Sequence, residues 1–91
     1  MRTLLVGYDL DKPGQNYPKL ETALKAFGVW WHGLDSTWIV RADLTAVQLR
    51  DHLSGLIDSN DKLLVVDITG DTAAWRGLST QASKWILDNI G

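Results

Sequence analysis

Two spacings of apolar residues run along the chain. From Thr3 to Asp9 a period of two sets Leu4, Val6 and Tyr8 against Leu5, Gly7 and Asp9, which predicts a strand. Leu10 to Asn16 comes next, with Pro13-Gly14 as a turn signal. A helix is expected to begin near Asn16, which can cap it, with Pro18 in the first turn where no amide donor is needed. Leu20, Ala23, Leu24 and Phe27 then share one helical face, and Gly28 is a C-terminal stop.

Val29 to Ala42 returns to strand-like composition, rich in aromatic and β-branched residues, and reads as two strands around a turn near Gly33-Leu34-Asp35-Ser36. The second helix has the clearest start signal. Thr45 and Gln48 form a capping box, flanked by Leu44 and Leu49 as a hydrophobic staple. Leu53, Leu56 and Ile57 continue its apolar stripe. After the polar turn Asp58-Ser59-Asn60-Asp61 comes a fourth strand, Lys62 to Thr69, and a last helix from about Thr80 to Asn89 with Ala82, Trp85, Ile86 and Ile90 on its apolar side. The order predicts an α+β, ferredoxin-like βαββαβ unit with an additional C-terminal helix, a single domain over residues 1–91.

In that arrangement two helices cover one sheet face. Alternation predicts large apolar side chains on both faces: Leu64, Val66 and Ile68 oppose Leu63, Val65 and Asp67, while Trp30, His32 and Leu34 oppose Val29, Trp31 and Gly33. The second face therefore needs a cover. A second subunit, the C-terminal helix and a ligand are the candidates. A twofold homodimer is the favoured expectation, with Trp30, Trp31, Trp38, Leu63 and Val65 as interface residues.

Composition narrows function mainly by exclusion. The absence of cysteine excludes disulfides, thiolate metal sites and cysteine nucleophiles. A formal net charge of −2, with Lys and Arg scattered along the chain, disfavours non-specific duplex binding as a bulk property. No apolar run approaches the length of a membrane span, and the N-terminus lacks the pattern of a signal peptide, so no membrane partner and a cytoplasmic location are expected.

Three segments, Val6-Gly7-Tyr8-Asp9-Leu10, Leu34-Asp35-Ser36-Thr37-Trp38-Ile39-Val40 and Asp58-Ser59-Asn60-Asp61-Lys62-Leu63-Leu64-Val65, resemble the small SinR-like family. That group is similar in outline to the small dimeric endonuclease of the CRISPR adaptation module and to virulence-associated protein D. The resemblance spans residues 2 to about 71, and Trp30-Trp31-His32 with Asp35-Ser36-Thr37-Trp38 is its most specific part. It implies a ferredoxin-like dimer. It also implies that Asp9 and its dimer mate face each other and hold a divalent metal, Mg²⁺, for phosphodiester cleavage, with Ser36 at the polar position that starts the third strand. The chain departs from the nuclease pattern in carrying only Lys19 and Lys25 in its first helix and in having a Trp-containing C-terminal segment.

Each candidate residue also has a plainer reading. Asp9 either binds metal or ends a strand and bonds turn amides. Asp67 interrupts an apolar strand and needs a partner, such as Arg2, Arg41 or a second subunit. His32 can act near neutral pH, but structural packing is favoured, since neither cysteine nor a second histidine stands at ligand spacing. Trp30, Trp31 and Trp38 either stack bases or fill a core or dimer interface, and the acidic balance favours packing. The leading expectation is a dimeric binding or assembly module related to the endonuclease family. The alternatives are a Mg-dependent nuclease acting on RNA or DNA, and a toxin–antitoxin-like regulator that binds another protein.

Overall fold

A computed structural model describes residues 1–11 and 17–90. The anticipated Pro13-Gly14 turn and Asn16 cap lie outside the described residues. Along the chain the elements are β1 (Arg2–Asp9), α1 (Tyr17–Lys25), β2 (Val29–Leu34), β3 (Thr37–Ala42), α2 (Ala46–Ser54), β4 (Lys62–Asp67) and α3 (Thr80–Ile90). The four strands form one antiparallel sheet in the order β2-β3-β1-β4. Because β3 is antiparallel to both its neighbours, β1 and β2 run in the same direction on either side of it. The result is a mixed α+β unit of four strands and three helices among the described residues.

The helix ends obey local chemistry. Thr45 Oγ1 accepts the Gln48 amide at 3.1 Å and the Gln48 side chain accepts the Thr45 amide at 2.9 Å, completing the capping box that starts α2. Beyond α1, Gly28 adopts a φ of 84°, a left-handed conformation that glycine takes without a Cβ penalty, and its amide bonds the Lys25 carbonyl. The first sheet face packs on α1 and α2. Leu4 and Val6 of β1, Trp38 and Val40 of β3, Leu20 and Leu24 of α1, and Leu49 and Leu53 of α2 are all fully enclosed there. Trp38 donates its indole N–H to the Tyr8 hydroxyl at 3.1 Å, which satisfies a polar group that burial would otherwise penalise.

The second face has its own apolar cluster, built from Trp31, Ile39, Ile86 and Ile90 with Ile68, Trp75, Leu78, Ala82 and Trp85 around them. The chain's own C-terminal segment thus covers part of the face for which a second subunit was expected. All four residues of the predicted α3 stripe belong to this cluster. The Ser79 hydroxyl accepts the Ala82 amide to open α3, and Trp75 donates to Ser83 at 2.9 Å. At the other end of α3 the Thr3 hydroxyl donates to the Asn89 carbonyl at 2.6 Å and the Gly70 amide to the Ile90 carbonyl at 2.9 Å. These bonds satisfy carbonyls that a helix C-terminus leaves without partners.

One expectation about β2 is corrected. Simple alternation puts Leu34 on the side of Trp30 and His32. The register shifts between Trp31 and Leu34, so Trp31 pairs with Ile39 and Leu34 with Thr37, and Leu34 joins the second face. An unpaired residue within a strand reverses the side taken by the residues after it. Within this shift Gly33 leaves room for the Trp31 ring: a Cβ on Gly33 would lie 2.4 Å from Trp31 Cζ2.

Candidate functional site

Two of the residues singled out for chemistry, Asp9 and Ser36, lie at one end of β1. Asp9 closes that strand, is exposed, and is paired in register with Lys62 of β4. Ser36 lies in the turn between β2 and β3, and its carbonyl accepts the Tyr8 amide at 3.1 Å. The fold therefore brings Ser36 beside the end of β1, next to the residue that precedes Asp9. Asp11, just beyond the strand, donates its amide to Asp61 Oδ1 at 2.7 Å, while the other oxygen of Asp61 accepts the Asp58 amide at 2.7 Å. Asp61 thus holds two backbone segments together, a role that its place in a polar turn suggests.

The donor set at this end does not fit a divalent metal within one chain. Asp9 supplies one carboxylate, its cross-strand neighbour is a lysine, and Asp61 is engaged by amides. No group of three or more His, Cys, Asp or Glu suited to a metal ion occurs among the described residues. Mg²⁺ binds through several oxygen donors, so a metal held through Asp9 would need a second copy of the chain.

Asp67 and His32, the other candidates for chemistry, are both engaged within the fold. Asp67 accepts the Thr69 hydroxyl at 2.6 Å, the Thr69 amide at 3.0 Å and Arg2 at 2.8 Å. The Thr69 hydroxyl, then the Thr69 amide, then Arg2 hold its carboxyl down at about 2. Thr69 Oγ1 also accepts the Thr3 amide at 2.8 Å, so this network joins the strand ends to the segment leading toward α3. The His32 ring stacks on Trp38 with centroids 3.9 Å apart and planes 14° apart. His32 Nε2 stands 3.0 Å from the Asp35 carbonyl, to which it can only donate, so the imidazole braces the β2–β3 turn.

Of the five proposed interface residues, Trp38 is fully enclosed, Trp31 lies in the second-face cluster, and Leu63 and Val65 pack against the first core. Trp30 is partly exposed, with the Lys25 ammonium 5.4 Å from its ring centroid. The exposed apolar pair of β4 is instead Leu64 and Val66, at 62% and 40% exposure. They share the second face with Gly7 and Asp9 on an edge strand. Alternation alone separates this pair from Leu63 and Val65 without assigning either pair to a face, and the expected interface took Leu63 and Val65. That Leu63 and Val65 point to the helices is fixed by the β1–β4 register. No helix among the described residues is long and apolar enough to cross a membrane. No family model matches the chain, and no solved structure matches its fold.

Proposed function

We propose that this chain is a ferredoxin-like binding module that pairs with a second copy of itself through the β4 side of its sheet and does not cleave nucleic acid. The fold assignment is supported by strand order: β3 intervenes between the co-directional β1 and β2, and α1 and α2 share one face, as in a split βαβ unit. The observation that carries the binding reading is the exposed pair Leu64 and Val66 on an edge strand. Edge strands expose unpaired backbone groups, and apolar side chains on them invite association. Gly7, across from Leu64, adds no side chain to this surface, which favours close approach. Asp9 and Lys62 at its end supply opposite charges, the kind of self-complementarity that an isologous interface uses.

The non-catalytic reading is supported by the surroundings of Asp9, where a lysine rather than a second carboxylate faces it across the strands. Light scattering at micromolar concentration tests the dimer, with a mass of twice 10.1 kDa expected and Leu64→Asp shifting it to 10.1 kDa. A wild-type monomer would overturn the pairing. Incubation with RNA and DNA in Mg²⁺ or Mn²⁺ tests catalysis. Metal-dependent cleavage that disappears in a folded Asp9→Asn protein would replace the binding reading with the nuclease one.

A further inference from the structure

Between the second sheet face and the C-terminal segment lies a cavity of about 270 Å³, open on one side. Leu5, Trp31 and Ile39 of the sheet, Ile86 of α3, and Trp75 and Leu78 of the segment before it are among the residues that line it. Protein interiors are close-packed, and voids larger than a water molecule are few. An apolar cavity of about 150 Å³ stays dry and accepts benzene, so this one has room for an aromatic ring with a short chain. The Trp31 ring that lines it lies where only a residue without a Cβ at position 33 leaves space.

The polar side chains around the cavity are few. Thr37, Asp71 and Thr72 also line it. Among the described residues the Asp71 carboxylate and the Thr37 and Thr72 hydroxyls make no hydrogen bond, whereas the Trp75 indole N–H is already committed to Ser83. A carboxylate accepts only, and the two hydroxyls accept as well as donate. Among the described residues no lysine or arginine lines the cavity. An apolar body with an N–H-donating or cationic head matches this set, and an anionic head is repelled. Ligand sites commonly take this form, a mostly apolar pocket with a few polar groups that fix orientation.

We propose that this cavity binds a compact hydrophobic amine, its ring between Trp31 and the C-terminal segment and its ammonium at Asp71. The site is separate from the Leu64–Val66 surface, and its occupancy does not require a dimer. The test is a titration of the full chain with 2-phenylethylamine, 2-phenylethanol and phenylacetate, monitored by NMR of the tryptophan indole N–H signals. The expected result is saturable binding of the amine that moves Trp31 and Trp75 and leaves Trp38 unmoved. Preference for the amine over phenylacetate should be about tenfold, the effect of roughly one charge-assisted hydrogen bond. Asp71→Asn, an exposed substitution, should reduce that preference to about twofold, and Ile68→Phe should block all three probes. Absence of saturable amine binding, equal affinity for the three probes, or an unchanged preference in Asp71→Asn would each overturn the proposal.

Discussion

Replacing Gly33 by alanine adds one methyl group to the β2 bulge and tests how firmly Trp31 is seated. The new Cβ would lie 2.4, 2.8 and 3.1 Å from Cζ2, Cε2 and Cη2 of Trp31. Carbon atoms in good contact stand about 3.5–4.0 Å apart, so the ring must retreat by more than about 1 Å. Trp31 is held in the second-face cluster with Ile39, Ile86 and Ile90, and the space free to receive it is the cavity. Overpacking of this kind costs about 1–3 kcal/mol. Removing a glycine also restricts the unfolded chain, which offsets about 0.4–1 kcal/mol. The net destabilisation should be about 1.5 kcal/mol, or roughly 6–12 °C in Tm for a domain of this size. The matched control is Gly55→Ala. Gly55 caps α2 at φ −72° and ψ −9°, and a Cβ there meets only the His52 carbonyl at an ordinary 3.7 Å. That variant should gain about 0.4–1 kcal/mol. Thermal melts monitored by far-ultraviolet circular dichroism measure both, and near-ultraviolet dichroism reports the tryptophan environment. A Gly33→Ala protein as stable as Gly55→Ala, with unaltered tryptophan signals, would refute the seating of Trp31 against Gly33.

Other substitutions probe the remaining supports. Thr45→Ala removes the hydroxyl that accepts the Gln48 amide and should cost about 1 kcal/mol, read as a lower denaturation midpoint in urea. Asp67, held at about 2 against an ordinary 3.8, adds stability above pH 3.8 that is lost as pH falls toward 2. Asp67→Asn should flatten that part of the acid-denaturation curve, and an unchanged slope would count against the Thr69–Asp67–Arg2 network. A chain ending at Leu78 should keep a folded first core but expose Trp31 and Ile39, and should therefore bind a dye such as anilinonaphthalene sulfonate more strongly than the full chain.

Local chemistry in the sequence predicts the elements well where it is dense. The Thr45–Gln48 box and the Ala82–Trp85–Ile86–Ile90 stripe both correspond to observed structure. Bonds between distant segments carry no such local signal. The pairing of Thr3 with Asn89, the Tyr8–Ser36 contact and the tie between Asp11 and Asp61 arise only once the sheet is assembled. The reversal of Leu34 has a different cause: an irregularity in register shifts every alternation after it, and apolar spacing does not reveal it. The same irregularity sets Leu34 beside Trp31 in the lining of the cavity.

The two apolar clusters share no residue, and the sheet stands between them as a partition. Alternate positions of the same strands serve different compartments, as Trp38 and Ile39 do in β3. One compartment is sealed by two helices. The other is partly covered by a segment that returns to the sheet late in the chain. Changes in the second layer can therefore reshape what it holds without reaching the first, and such a division leaves half of a small domain free to diversify while the other half preserves the fold.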